Sequence, residues 1–195
     1  MTQIAGILLC GGAARRFGAN KLLAGAEPIV ARAARNLLEG AGHALAVIPL
    51  GDAALRAVLE PLGCDVLESD RTARGMGASL AAGVEAAAHA AGWIVALGDM
   101  PGVRPDTIRR VKRALEEGAA IAAPFDDAGR RGHPVGFAAR LREELLVLDG
   151  DLGAREVIAR HADNLERLRI DDPGIFIDID TPEDLRGLDG RGEAG

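Results

Sequence analysis

The sequence predicts an α/β fold in which helices cover both faces of a mostly parallel sheet. Short apolar runs alternate with longer helical patterns along the chain, and this alternation is typical of βαβ units. The 195 residues are 48% hydrophobic, so the chain can bury a sizeable core. Aromatic residues make up only 3%, which favours helices packed closely on a sheet over a sandwich or barrel filled with rings.

Each element is assigned from its own stretch of this alternation. Short apolar runs predict strands at 4–10, 45–50, 65–68, 93–97, 119–124, 165–170 and 175–179. The stretches between them carry helical periodicity and predict helices at 26–40, 52–59, 77–91, 105–117, 138–147 and 153–162. The connections are short and no proline- or serine-rich linker interrupts them, so we expect one domain over 1–188. The polar, glycine-rich end at 189–195 is predicted to be a flexible tail.

Composition excludes several classes of function. The net charge of −6, without a basic tract or an aromatic platform, argues against a sequence-independent nucleic-acid binder. No run of eighteen apolar residues and no secretory leader pattern is present, so we expect a soluble cytoplasmic protein without a membrane segment. Cys10 and Cys64 have no CxxC spacing, which argues against a disulfide framework and against a zinc cluster.

The strongest local signal follows the first predicted strand. Gly11 and Gly12 stand at its end, and Arg16, Gly18 and Lys21 follow in the same loop. Glycines at this edge of an open α/β sheet let the backbone turn sharply and present its amides to an anion. The spacing is neither that of a Walker loop nor GxGxxG. We interpret the loop as a phosphate-binding loop with side-chain cations; the alternative is a glycine turn with solvated arginines.

Two acidic segments follow strands later in the chain. Asp99 comes directly after the apolar run at 93–97, where it can meet solvent, a metal or a ligand, although such a residue is more often a cap or turn residue. Asp178 and Asp180 share one face of the predicted last strand, and two neighbouring carboxylates are unfavourable unless solvent or a cation separates them. Thr181 and Pro182 fit the start of a helix.

These segments, in this order, resemble the signature motifs of the molybdopterin nucleotidyltransferase family, the NTP transferases of the molybdenum cofactor cytidylyltransferase and molybdopterin-guanine dinucleotide synthase type. The resemblance implies a Rossmann-like three-layer fold of the nucleotide-diphospho-sugar transferase type. It also implies Mg²⁺-dependent transfer of CMP or GMP from CTP or GTP to the terminal phosphate of molybdopterin or molybdenum cofactor, with release of pyrophosphate. A molybdoenzyme or its chaperone would then receive the product. The motifs that carry the resemblance are Leu9-Cys10-Gly11-Gly12, Arg16-Phe17-Gly18, Asn20-Lys21, Leu97-Gly98-Asp99-Met100-Pro101 and Thr181-Pro182-Glu183.

The resemblance also implies a role for individual residues. Arg16, Lys21 and Asp99 would be catalytic. Asp99 and Asp180 would be the Mg²⁺ ligands, with Asp178 as the alternative to Asp180. His133 and Arg155, which lie in segments similar to those around the acceptor in this family, would bind the acceptor. The nucleotide would be bound by Leu9, Cys10, Gly11, Gly12, Arg16, Lys21, Gly75 and Ser79.

Several alternatives stay open at the level of sequence. Cys10-Gly11-Gly12 is closer to the guanylyltransferase branch, whereas the later segments favour cytidylyl transfer, so CTP and GTP are both candidates. A sugar phosphate or methylerythritol phosphate is the nearest competing acceptor. Two hypotheses from other functional classes are a nicotinamide-dependent oxidoreductase and a non-catalytic nucleotide-binding protein. Against the oxidoreductase, this sequence lacks GxGxxG spacing, and the arginines and lysine of its first loop suit a triphosphate better.

Overall fold

The computed structural model describes residues 3–11 and 21–189, and its seven strands form one sheet. The order across the sheet is β3-β2-β1-β4-β6-β5-β7. Six strands run parallel, and β6 runs antiparallel between β4 and β5. The strands are β1 (Ile4–Leu9), β2 (Ala44–Pro49), β3 (Asp65–Ser69), β4 (Gly92–Leu97), β5 (Ile121–Phe125), β6 (Val135–Ala138) and β7 (Leu165–Arg169).

Helices cover both faces of this sheet, which confirms the predicted architecture. One face packs against α1, α2 and α4, and the other packs against α3, α5 and α6. Neighbouring residues of a strand point to opposite faces of the sheet, and in β1 both Ile7 and Leu8 are fully buried. The helices are α1 (Ile29–Ala41), α2 (Ala53–Leu59), α3 (Met76–Ala86), α4 (Pro105–Glu116), α5 (Arg142–Leu146), α6 (Arg155–Arg160) and α7 (Pro182–Asp189).

The strand predicted at 175–179 is wrong. The chain forms a 3-10 turn at Pro173–Phe176 and then runs without regular structure to Asp180. A Cβ on Gly174 would collide with the backbone of Gly102, so the segment packs directly against the loop after β4 instead of pairing with a strand. Ile179 donates one backbone hydrogen bond to the Asp99 carbonyl (2.9 Å), which ties the segment to the loop after β4 without a ladder.

The sequence also missed β6. Its residues pair with β4 and β5, whereas the predicted helix at 138–147 shrinks to a 3-10 turn at Ala139–Leu141 followed by α5. Gly136 lets α4 lie directly on this strand, because a Cβ there would meet the Val111 side chain at 2.8 Å. The antiparallel direction places the start of β6 at the edge where β1 and β4 end.

No helix among residues 3–11 and 21–189 has the length and apolar character needed to cross a membrane. At the carboxyl end, α7 stops at Asp189, and the rest of the predicted tail, 190–195, lies outside the described residues.

Candidate active site

Lys21 joins two carboxylates that are far apart in the sequence. Its Nζ lies 2.9 Å from Oδ2 of Asp99 and 2.7 Å from Oδ1 of Asp180. Lys21 opens a 3-10 turn, and Asp99 follows β4 at the carboxyl edge of the sheet, where ligands of open α/β sheets bind. The Lys21 side chain is 17% exposed, that of Asp99 26% and that of Asp180 53%, so the group is partly shielded but open on the Asp180 side.

Local hydrogen bonds hold these two carboxylates in place. Gly98 donates its backbone N–H to the carbonyl of Leu9 (2.9 Å), which fixes the loop after β4 against the end of β1. Thr181 caps α7: its Oγ1 accepts from the Asp184 backbone N–H, and the Asp184 carboxylate accepts from the Thr181 and Asp180 backbone N–H groups. The predicted helix start at Thr181 is therefore confirmed, and it orients the segment that carries Asp180.

The charge of Lys21 depends on these contacts. Burial lowers the pKa of the Lys21 ammonium, but the hydrogen bonds that Lys21 donates to Asp180 and Asp99 outweigh burial and raise the pKa overall. The ammonium is thus held as a cation at a point where two carboxylates converge. Such a pair suits a divalent cation that completes its shell with substrate oxygens.

A divalent metal at this site would take only part of its ligands from the protein. Within residues 3–11 and 21–189, no set of three or more His, Cys, Asp or Glu side chains is arranged to enclose a metal ion. Mg²⁺ commonly takes only one or two carboxylates and fills its remaining positions with water and substrate phosphates. Asp99 and Asp180 match that pattern, whereas they are too few for a metal site built by the protein alone.

The first loop is described only in part. Backbone groups of Leu9 and Cys10 are hydrogen-bonded within the protein: the Cys10 N–H donates to the Val47 carbonyl, and the Leu9 carbonyl accepts from the Gly98 N–H. The thiol of Cys10 is buried, and burial raises its pKa well above the usual range, so it is an inert packing group. Gly11 is exposed at the sheet edge. Gly12 and Arg16 lie outside the described residues.

The start of α3 packs against the loop at 150–151. Gly75 adopts φ +114°, and a Cβ there would collide with Asp151 and Gly150. The backbone N–H of Gly77 donates to the Gly150 carbonyl (2.7 Å). Ser79 is 1% exposed and donates its hydroxyl to the Gly75 carbonyl, so it lies beneath Gly11 and supports the loop.

A pocket of about 410 Å³ opens beside Asp99 at the same edge. It contains the predicted acceptor residues His133 and Arg155, together with Asp178. Sequence reasoning missed Arg131, which lies two residues before His133 and also lines the pocket. The sequence signal that could have identified Arg131 is its position directly before Gly132-His133-Pro134, the segment that contains the predicted acceptor residue His133. The apolar part of the wall includes Leu9, Met76, Leu80, Val95, Leu97, Val135, Phe137, Leu152, Ile158, Ile175 and Phe176.

His133 is an uncharged polar group in this pocket. Burial lowers the pKa of its imidazole to about 4, and the positive charges of Arg131 and Arg155 act in the same direction against a weaker opposing effect of Asp99. Its Nδ1 is buried and has no hydrogen-bond partner among the described residues. Buried polar atoms are normally satisfied, so this atom is available to a bound molecule.

Comparison with known proteins identifies the family. A model of the MobA-like NTP transferase domain matches residues 6–165. The chain belongs to the MobA-like NTP transferase family. This confirms the resemblance found in the sequence, and family membership supports nucleotidyl transfer as the class of reaction.

Relatives of known sequence or structure span almost the whole chain. Nicotine blue oxidoreductase of Paenarthrobacter nicotinovorans is 32% identical over 199 residues, covering 95% of this chain and 96% of that protein. Rv0371c of Mycobacterium tuberculosis H37Rv has a crystal structure with a TM-score of 0.82 and 28% identity, covering 96% of this chain and 97% of that one. A second structure of Rv0371c is a complex with manganese (TM-score 0.76, 26% identity, 96% and 97% coverage). A nucleotidyl transferase from Methanothermobacter thermautotroptrophicus shares the fold, with a TM-score of 0.82, 21% identity and 99% coverage of both chains.

Proposed function

We propose that this chain transfers CMP or GMP from CTP or GTP to the terminal phosphate of a molybdopterin-type acceptor and releases pyrophosphate. The observation that carries the proposal is the contact of Lys21 with Asp99 and Asp180 at the carboxyl edge of the sheet, where the loop after β4 is bonded to the end of β1. A cation and a metal-binding pair of carboxylates at that edge are what a triphosphate substrate needs. The product would pass to a molybdoenzyme or its chaperone.

Asp99 and Asp180 would hold Mg²⁺ in this reaction. A bound divalent cation supplies charge neutralisation and polarises the phosphoryl oxygens that change in the transition state. Rv0371c forms a complex with manganese, which supports a divalent cation at the site proposed here. The two carboxylates already converge on one cation, Lys21, so they need no large movement to share another.

The protein groups act by position and charge. Lys21, Arg16 and the Gly11–Gly12 backbone would neutralise and hold the triphosphate with its α-phosphorus facing the pocket beside Asp99. The acceptor would lie in that pocket, in contact with His133 and Arg155, so that its phosphate approaches in line with the departing pyrophosphate. The attacking phosphate is already ionised at neutral pH, so no general base is required.

A direct assay combines the purified protein with Mg²⁺, one NTP and molybdopterin. Pyrophosphate release is followed with a coupled assay, and the mass of the product identifies the nucleotide that was transferred. Separate reactions with CTP and GTP decide the base, and parallel reactions with a sugar phosphate and with methylerythritol phosphate test the competing acceptors. Formation of a molybdopterin dinucleotide supports the proposal, whereas turnover only with another acceptor contradicts its molybdopterin part.

One observation favours a second function. The relative that is 32% identical over nearly the full length is named an oxidoreductase, so a redox reaction on this fold is a specific competitor. Incubation with NADH or NADPH and a quinone-like dye, followed by absorbance of the nicotinamide, tests it. Steady oxidation of the nicotinamide that survives Lys21→Ala, with no pyrophosphate release by the wild type, would favour this second function.

A further inference from the structure

The ammonium of Lys21 lies between the two carboxylates that are proposed to bind the metal. Its Nζ is 2.9 Å from Oδ2 of Asp99 and 2.7 Å from Oδ1 of Asp180, so one oxygen of each carboxylate already bonds to a cation. Both contacts are short enough for charge-assisted hydrogen bonds. A metal that binds both carboxylates therefore has to displace this ammonium or lie directly beside it.

Charge favours displacement of the ammonium over a shared site. Among these three side chains, the Lys21 ammonium offsets one of the two carboxylate charges, which weakens their attraction for a divalent cation. A divalent cation beside the ammonium would also be repelled by it. Water screens this repulsion poorly, because only 17% of the Lys21 side chain and 26% of the Asp99 side chain are exposed. Without the negative charge of a triphosphate, the metal and the ammonium therefore compete for the pair.

Backbone contacts keep the two carboxylates close together independently of the Lys21 side chain. The Ile179 N–H donates to the Asp99 carbonyl (2.9 Å), and Asp180 is the next residue after Ile179. The Asp180 N–H in turn donates to the carboxylate of Asp184 in α7 (3.1 Å). The pair therefore stays formed when the ammonium leaves, and the half-exposed side chain of Asp180 gives a metal access from solvent.

The Lys21 ammonium can leave without unfolding its surroundings. Lys21 is the first residue of the 3-10 turn at Lys21–Leu23, and this turn is anchored by the buried side chain of Leu22. The ammonium itself is at the end of a flexible four-carbon stem. Rotation about the bonds of that stem moves Nζ away from the carboxylates while the backbone of the turn stays in position.

We infer that Lys21 is an internal counterion that holds the carboxylate pair of Asp99 and Asp180 before the metal arrives and is then exchanged for Mg²⁺. The inference rests on the proposed function for the metal site itself. It adds that Lys21 limits metal binding when no nucleotide is present. Once displaced, the ammonium becomes available to the triphosphate, so the exchange couples metal binding to nucleotide binding.

Mn²⁺ binding in the absence of NTP tests this exchange, with the electron paramagnetic resonance signal of free Mn²⁺ as the readout. Lys21→Met removes the charge and keeps an unbranched apolar stem. We expect it to bind Mn²⁺ about 10-fold more tightly than the wild type, because the competing cation is gone. Lys21→Arg keeps a cation and should stay close to the wild type. Adding Asp99→Asn to Lys21→Met should abolish the gain, which would assign it to the carboxylate pair.

Lys112→Met is the matched control for the loss of a lysine. Lys112 donates to the carbonyl of Ala41 (2.8 Å) and contacts neither carboxylate of the pair, so its variant should bind Mn²⁺ as the wild type does. Thermal melting of each variant reports whether it folds.

A second measurement uses the wild-type protein and does not depend on the folding of any variant. The chain has two lysines, so protein enriched with ¹³C at the lysine Cε gives two lysine Cε signals in an NMR spectrum. Addition of Mg²⁺ without NTP should move the Lys21 signal toward the position that it has in the urea-unfolded protein. The Lys112 signal should stay in place. Lys112→Arg assigns the two signals.

Equal Mn²⁺ affinity of the wild type and folded Lys21→Met would overturn the inference. A Lys21 signal that does not move at saturating Mg²⁺ would also overturn it. Failure of the proposed function has a different signature. Pyrophosphate release by the wild type together with either of these results would remove the exchange and keep nucleotidyl transfer. Exchange at Lys21 without pyrophosphate release from any NTP and acceptor would support the exchange and contradict nucleotidyl transfer.

Discussion

The buried carboxylate of Asp172 supports a prediction about both stability and metal dependence. Asp172 is 3% exposed and accepts hydrogen bonds from the Thr107 hydroxyl (2.6 Å) and from the backbone N–H groups of Arg104 (2.9 Å) and Gly174 (3.0 Å). It thereby ties the start of α4 to the segment that leads to Asp180. We predict that Asp172→Ala destabilises the fold and loosens the carboxylate pair.

The size of the effect follows from the three hydrogen bonds. A hydrogen bond to a charged group contributes roughly 1.5–3 kcal/mol, and bonds that share one acceptor do not add fully. The donors left behind at Thr107, Arg104 and Gly174 lose their partner in a buried place. We therefore expect Asp172→Ala to lower the free energy of unfolding by about 3–5 kcal/mol. Asp172→Asn keeps one oxygen for two of the donors and should cost about 1–2 kcal/mol.

Urea unfolding followed by circular dichroism measures these losses, with Asp171→Asn as the matched control. Asp171 is exposed, so its variant should stay within about 0.5 kcal/mol of the wild type. The Mg²⁺ concentration for half-maximal pyrophosphate release should rise in Asp172→Asn at a temperature where it is folded, but not in Asp171→Asn. A loss below about 1 kcal/mol in Asp172→Ala would show that its three hydrogen bonds do not stabilise the fold as expected.

Three further predictions concern the site and its supports. Asp180→Asn should raise the metal requirement and lower kcat by about 100-fold, whereas Asp178→Asn should mainly change the acceptor KM; the reverse outcome in steady-state kinetics would exchange their roles. Gly75→Ala should destabilise the fold by about 1–3 kcal/mol in urea unfolding, because φ is +114° and a Cβ would collide with the loop at 150–151; a neutral variant would contradict that close approach. His133 has its pKa lowered to about 4 from 6.5, so between these values the unfolded chain binds a proton that the folded chain does not. Lowering the pH through this window should therefore destabilise the wild type relative to His133→Gln by about 1 kcal/mol per pH unit, and parallel pH profiles of unfolding would contradict it.

The sequence predicts the residues of the site that directly follow strands of the parallel sheet. Asp99 directly follows a buried parallel strand, and Lys21 lies in the loop after the neighbouring one, so their meeting at one edge follows from the predicted sheet. The contact of Lys21 with Asp180 depended on family resemblance, because the segment before Asp180 is not a strand. The alternating residues Ile175, Ile177 and Ile179 in this segment have the apolar pattern of a strand, although the chain forms none there.

What the sequence missed depends on tertiary contacts. β6 has four residues directly after Pro134, and its apolar pattern runs without a break into the helical pattern that follows. Its assignment depends on pairing with β4 and β5 from both sides. Arg131 reaches the pocket because its backbone pairs with Phe125 and Gly132 packs against Ile175, and neither contact is visible as a local pattern.

The proposed function requires that Lys21 acts on a triphosphate rather than serving as a structural cation. Lys21 and Lys112 are the two lysines of the chain, and Lys112 donates instead to the carbonyl of Ala41 on α1, so Lys112→Ala is a matched control. The most direct measurement is Mg²⁺-dependent pyrophosphate release from NTP and acceptor by both variants, each shown to be folded. We predict that Lys21→Ala loses about 100- to 1,000-fold in kcat while Lys112→Ala keeps wild-type turnover. Unchanged pyrophosphate release by folded Lys21→Ala would contradict it.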